Sequence, residues 1–508
     1  MKSALLYDIM ITEYKNEKGN RMKKILCVII SALFVLSAAL LAGCAKDPAE
    51  NSETTDEITT VPEDTVIKDD LPEVSFKGKT FRVILQEDSS GDVFTEDHEI
   101  GEPLHDAVLQ RNINVCERFG IELDVSKDEY SAVNASITRS VKAGSDEYDL
   151  CFVHMVSGAA LAQSNLVLPF QKLPYVDLEK PWWDKDIWNG FSIRNNLMMV
   201  NGDISPRSFS ITSCLYFNKT LFDKFDLQYP YELVRSGEWT FDKLYELTKG
   251  MTRDEDGDGK VSAESGSSDI YCLTSWYLDV PYSFYYAAGG MLVSKDENDV
   301  PYYDPNLERD TIIYRKIYDV IIGNNAYFET NIGNYMRVIE TFFEGHALFY
   351  DSTLAAAGTL REMDNEFGIL PVPKLDSAQT DYRSFVNGAS SMICVPATVT
   401  SESQREFVSI IIEALASEAY RTVTPVLKET YLKRKITRDA DSADMIDYIV
   451  RNRVFDMAYV NMHDGVGSYV RDLLKSGATD ISSMLKKYQK TAAKKIETIV
   501  KAFDKSLK

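Results

Sequence analysis

The strongest constraint on how this chain folds is an alternation of two hydrophobic periods that begins near Phe76 and runs to Val153. Phe81, Val83 and Leu85 alternate with other residues as a strand requires, and Ile121, Leu123 and Val125 do so again. Between them, Leu104 to Phe119 repeats apolar residues at helical spacing. A second helical stretch, Ser131 to Lys142, sets Val133, Ile137 and Val141 on one face, and Tyr148 to Val153 reads as a third strand. The order β-α-β-α-β favours a parallel sheet with helices on its faces, where ligands sit beyond the carboxyl ends of the strands. The segments that follow two of those ends, Glu87 to Glu96 and His154 to Ser157, are therefore candidate pocket walls.

The rest of the chain must supply more than one further layer, because 508 residues with 44% hydrophobic content suffice for two or more domains. A net charge of −23 leaves no excess of Lys and Arg to displace counterions from phosphates, which argues against a general nucleic-acid binder. The same field disfavours an anionic ligand, although a local Arg or Lys clamp stays compatible with it. Catalytic signatures are missing. The five histidines, His98, His105, His154, His346 and His463, show no metal spacing, and the sequence has no Walker loop, no dinucleotide glycine fingerprint and no G-x-S-x-G elbow. No enzymatic activity is expected; a glycoside hydrolase needs only two carboxylates at a suitable separation, so that alternative stays open.

One stretch, Ile25 to Ala42, is apolar enough to interact with a bilayer, and it follows Lys23 and Lys24 directly. A positive region, an apolar run and small residues ending in Leu41-Ala42-Gly43-Cys44 make up a secretion signal, with Met22 as its natural start. A membrane span is the competing reading of about 18 apolar residues. The tetrapeptide resembles the lipobox of bacterial lipoproteins, which implies a diacylglycerol on the Cys44 thiol, cleavage before it, and an anchor on the outer face of the cell membrane. Residues 44 to 73 then form a flexible linker, since Ala45 to Asp70 is dominated by Asp, Glu, Thr, Ser and Pro. Losing the leader removes six basic and three acidic residues and takes the charge to −26. Cys116, Cys151, Cys214, Cys272 and Cys394 remain, widely spaced in apolar surroundings, and read as buried small hydrophobes.

Two further patterns bear on ligands. Tyr175, Trp182, Trp183, Trp188 and Phe191 are interleaved with Asp177, Asp184 and Asp186, and flat rings beside carboxylates suit the C–H face and hydroxyl rim of a sugar; the same rings would serve to pack a loop. Asp254, Asp256 and Asp258, with Gly259 and the backbone of Lys260, match the first half of an EF-hand loop. Its twelfth position is Ser265, so Glu264 or Asp269 would have to complete a shell around a structural Ca2+; a solvated acidic turn is the alternative. No other cofactor is expected.

The segment "YFNKTLFDKF…YPYELVRSGEWTFDKLYELTKGMT", with "FFEGHALFYDS", "FGILPVPK", "VPATVTSESQREFVSIIIEAL" and "PVLKETYLKRKITRDADSADMIDYI" in that order, resembles the family 1 extracellular solute-binding proteins, the receptors of carbohydrate ABC importers. The likeness covers most of the chain from about Phe76. It implies a two-lobed α/β fold of the periplasmic-binding-protein type II, joined by hinge strands, closing over a sugar and delivering it to permease subunits. The expected lobes are 74–205 with 372–400, and 206–371 with 401–508, in a monomeric protein. "FGILPVPK" would be the hinge strand returning to the first lobe. Trp239 and Thr240 read as a packing ring and an N-cap, with Ser401 and Gln404 as a capping box. The candidate ligand contacts are Trp182, Trp183, Asp203 at the first crossing, Trp276, Tyr285 and Tyr286 in a second aromatic patch, and Asp351 after the apolar run Ala347 to Tyr350. A surface glycan-binding or sensory lipoprotein without transport would need the same cleft.

Overall fold

A computed structural model describes residues 67–87, 103–435, 437–463 and 465–507 of the chain. The leader, Cys44, the linker up to residue 66 and all but Glu87 of the expected wall Glu87 to Glu96 lie outside the described residues. No helix among the described residues is long and apolar enough to cross a membrane.

The first lobe follows the expected rhythm. It runs through β1 (Lys79–Gln86), α1 (Pro103–Phe119), β2 (Ile121–Asp128), α2 (Val133–Ala143), β3 (Leu150–His154) and α3 (Met155–Gln163). On α1, Leu104, Val108, Val115 and Phe119 are buried, while Asp106 and Arg118 sit at the ends where the helix dipole favours them. α2 stops at Gly144, whose φ of 64° lets its N–H reach back to the carbonyls of Ser140 and Val141. β1 pairs in parallel with β2 from Lys79↔Ile121 to Gln86↔Asp128, and with β3 on its other side. β3 is buried at every residue and apolar up to its last, His154, as a strand covered on both faces must be.

The second lobe contributes β4 (Ser213–Asn218), α4 (Phe241–Thr248), β5 (Tyr271–Trp276), α5 (Val280–Ala287), α6 (Leu307–Tyr318), β6 (Tyr327–Glu329), β7 (Ala347–Thr353) and β8 (Phe367–Leu370). Its sheet has the order β8-β4-β7-β5-β6, parallel across β7-β5-β6 and antiparallel elsewhere. Thr240 caps α4 by accepting the N–H of Lys243, and Trp239 is buried with its indole donating to Pro371 O at 2.9 Å, so both residues pack as read.

The expected hinge strand is displaced along the chain. Phe367–Leu370 is the edge strand β8, paired from Phe367↔Asn218 to Leu370↔Leu215, and Lys374 is still bonded to Trp239 in the second lobe. The crossing comes at 384–391. There Val386 bridges Thr212, Asn387 N–H donates to Ile211 O, and Ser384–Phe385 pairs with Arg453–Val454. The chain then enters β9 (Ser391–Cys394), which lies antiparallel to β3 in the first sheet.

A second correction concerns the assignment of 401–508 to the second lobe. The helix α7 (Glu402–Pro425) starts with the Ser401/Gln404 capping box and packs on the first lobe, with the Phe407 ring edge-on to Phe76 and Phe81 and Glu418 accepting from Asn114 at 2.6 Å. Its apolar face is complementary to α1, and burial of each large side chain contributes about 1.5–3 kcal/mol. α8 (Ala440–Arg451) does return to β8, where Ser442 Oγ accepts from Ile369 N–H. After α9 (Met457–Asn461), the long α10 (Ile481–Ser506) spans both lobes: Tyr303 donates to Leu485 O on one side, and Lys495 donates to Gln163 on the other. Cys151, Cys214, Cys272 and Cys394 are buried free thiols, and Cys116 is half-buried.

Candidate functional site

The seven residues picked from the sequence as ligand contacts all lie within protein packing, none more than 6% exposed. Trp182 and Trp183 donate their indole N–H groups to the two oxygens of Glu413 at 2.9 and 3.0 Å. Burial pushes the Glu413 carboxyl up to about 8, against the pull of those indole bonds. The aromatic loop is therefore stapled to α7 through the indole N–H groups of Trp182 and Trp183. Asp203 is bonded to Thr424 beyond the loop, with its N–H on Trp182 O, and burial raises its pKa to about 7.

The second aromatic patch packs in the same way. Tyr285 donates to Asp310 and Tyr286 to Asp456, each at 2.8 Å. Asp351 is wholly buried in β7, where Ser283 donates to it at 2.6 Å and burial holds its pKa well above the ordinary range. Trp276 ends β5 with its ring 4.4 Å from that of Tyr335. The physical reason is common to all: large rings supply the area that glues elements together, and a buried hydroxyl or indole finds a carboxylate inside the protein.

A different group converges where the two lobes meet. The carboxyl end of β3 brings His154, which caps α3 by accepting from Val156 and Ser157 and packs edge-on to Tyr130 at 4.8 Å. Burial, then Arg207 and His463, lower the His154 pKa to about 3, so the ring is neutral. The hinge brings Asn387 and Gly388. The turn after β5 brings Asp279, the start of α5 brings Tyr282, and α9 with the following turn brings Tyr459 and His463, whose rings lie 5.1 Å apart. Tyr282 stacks edge-on to Tyr459 at 4.8 Å. Gly388 is where these parts touch: a Cβ there would stand 2.7 Å from the Tyr459 hydroxyl and 2.8 Å from Val156 Cγ2, so only glycine fits.

Asp279 is the polar centre of this cluster at the junction of the lobes. Asn387 Oδ1 accepts from Ala389 N–H, which turns its amide NH2 toward Asp279 Oδ1 at 3.2 Å. The other carboxylate oxygen accepts no hydrogen bond from any described residue, and the side chain caps no helix N–H. Burial alone raises its pKa to about 7. Tyr459 accepts from Gly388 N–H at 3.2 Å, lies within electrostatic reach of Asp279 and Tyr130, and has no acceptor among the described residues for its own proton. The sequence reading named the segment His154 to Ser157 but missed Asp279, Asn387 and Tyr459. One signal was present for Asp279: it follows the carboxyl end of a strand in the parallel part of the second sheet.

Outside the crevice, Trp183, Trp188, Asp184 and Asn189 help line a pocket of about 270 Å³ on the aromatic loop. A neighbouring pocket of about 240 Å³ joins Asn189 and Asp186 to Arg383 and Phe455. In the acidic loop, carboxylate oxygens of Asp254, Asp256 and Asp269 gather within 4.8 Å of one another. Asp258 instead accepts from Lys260 N–H, and Asp254 accepts from Gly257 and Gly259 N–H, so the loop holds a turn that the first half of an EF-hand also uses.

Sequence comparison finds no matching family model and no matching curated protein. Among solved structures, the sugar-binding protein MalE from Xanthomonas citri superposes with a TM-score of 0.56 at 12% identity, covering 84% of this chain and 99% of that one. UspC from M. tuberculosis gives 0.52 at 12% identity over 82% and 100% of the two chains. A cyclo/maltodextrin-binding protein complexed with maltotetraose gives 0.51 at 13% identity over 85% and 99%. The protein therefore has the two-lobed α/β fold of these solved structures.

Proposed function

We propose that this protein is a receptor that takes a carbohydrate into the crevice between its lobes and delivers it to the permease of an ABC importer. The observation that carries the reading is Asp279: a carboxylate with one open oxygen, tied through Asn387 to the strands that join the lobes. A hydroxyl donated to that oxygen pulls on the same residue that anchors the hinge, which couples occupancy to closure. Tyr459 offers a second donor, and the half-buried Tyr130 offers a ring. Calorimetric titration of the purified chain with maltooligosaccharides and other glycans tests this; saturable binding with the glycan recovered intact is expected. Heat with peptides alone would overturn the carbohydrate reading, and release of reducing ends would favour a hydrolase.

The proposed receptor is a monomer held on the outer face of the cell membrane by lipid on Cys44, a reading supported for the anchor by the resemblance of Leu41 to Cys44 to a lipobox. Radiolabelled palmitate that labels the native chain but not Cys44→Ser checks the anchor. For the acidic loop, a structural Ca2+ bound by Asp254, Asp256 and Asp269 is the matching proposal, since the donors are hard oxygens at convergent positions. Millimolar Ca2+ should raise the unfolding temperature of the native chain and not of Asp254→Asn.

A further inference from the structure

Resting on that reading of the crevice, we infer that the ligand carries a protonated amine, as an amino sugar does, and that Asp279 is the residue that selects it. The inference starts from the balance of charge around one side chain. Asp279 is 94% buried by its 6% residual exposure, makes no ion pair with any described Lys, Arg or His, and has a single neutral donor, the Asn387 amide. The residues from 88 to 102, which lie outside the described set and follow β1, include no Lys or Arg in their sequence. An isolated carboxylate in such a place is costly unless something pairs with it.

The nearest electrostatic partners deepen the deficit. Burial holds both Asp279 and Asp351 above the ordinary carboxylate range, and the Asp279 charge adds to the cost of ionising Asp351. Beyond the site, the whole chain carries −23, a field that enriches cations near the crevice and repels anions. A neutral sugar would have to be held over a carboxyl that closure forces to take up a proton. An ammonium group supplies the missing charge and the donor at once, in a charge-assisted hydrogen bond.

Asn387 gives the arrangement its specificity. Its amide is oriented by Ala389 N–H, so it cannot turn to offer an acceptor to the ligand. The free Asp279 oxygen is then the acceptor available at this point of the crevice, and Tyr459 supplies a hydroxyl donor for a neighbouring oxygen of the ligand.

The test titrates the mature chain calorimetrically with glucosamine dimers to tetramers and with their N-acetylated counterparts of equal length. Acetylation removes the charge and leaves the ring. At least tenfold tighter binding of the amine forms is expected, with the preference lost in Asp279→Asn, whose circular dichroism matches that of the native chain. Equal or tighter binding of the acetylated forms overturns the inference, as does an Asp279→Asn variant that keeps the preference. Binding of neutral maltotriose as tight as that of the amine oligomers overturns the inference and leaves the receptor reading standing. Failure of every glycan to bind overturns both.

Discussion

The loop from Tyr175 to Phe191 and the wall from Trp276 to Tyr282 both set aromatic rings beside carboxylates, and the two regions use them in opposite ways. In the loop, Glu413 accepts from both Trp182 and Trp183, so the indole N–H groups and the carboxylate satisfy each other. In the wall, Asp279 has one amide donor and one open oxygen, and it hangs from the hinge. The difference lies in what faces the carboxylate. α7 crosses the loop and brings Glu413 to the indoles, whereas the wall faces the opposite lobe across the crevice. Rings beside acids are therefore a sign of a buried polar contact, and only the location of the contact tells a staple from a site.

The largest effect that can break this comparison is on stability. Glu413→Ala strips two buried indoles of their acceptor and should cost roughly 3–5 kcal/mol in urea unfolding, while glycan affinity of the folded protein changes less than threefold. A parallel collapse of affinity would make the loop part of the site. Next comes the pH dependence of the staple. The Glu413 pKa is raised in the fold to about 8, so its contribution is full below the unfolded value of about 4.3 and is lost as pH rises through about 8. Asp203 and Asp279, raised to about 7, act in the same direction. Stability should thus fall by a few kcal/mol between about pH 4 and 8, and Glu413→Gln should flatten the slope.

At the wall, Gly388→Ala forces a methyl against the Tyr459 hydroxyl and Val156, and should cost ~1–3 kcal/mol with a loss of glycan binding beyond what the stability change explains. The smallest effect is expected at Trp188, half-buried at the pocket on the aromatic loop. Trp188→Phe should change stability by ~1 kcal/mol or less and leave affinity unchanged in titration. A tenfold loss there would restore the loop as a ligand surface.

Much of the fold was legible in the residues, because periodicity and capping act locally. The alternation at Phe81 to Leu85 and Ile121 to Val125, the helical face of Leu104 to Phe119, the Thr240 cap and the Ser401/Gln404 box each depend on neighbours a few residues away. The hinge was read too early, at Phe367 to Lys374, because an apolar run closing on Pro looks the same whether it pairs as an edge strand or crosses between lobes. The lobe of α7 was misread for a similar cause: its apolar face fits either body, and only Phe407 meeting Phe76 and Phe81 decides.

By itself, then, the sequence determined the α/β elements of the first lobe, since the patterns of period 2 and 3.6 belong to the chain as written, while the two lobes were expected only from the resemblance its motif order carries. Tertiary structure alone decided which carboxylate faces the crevice. Glu413 lies 230 residues from Trp183 and Asp279 lies 108 from Asn387, and at such separations hydrogen-bond partners are chosen by packing rather than by spacing along the chain.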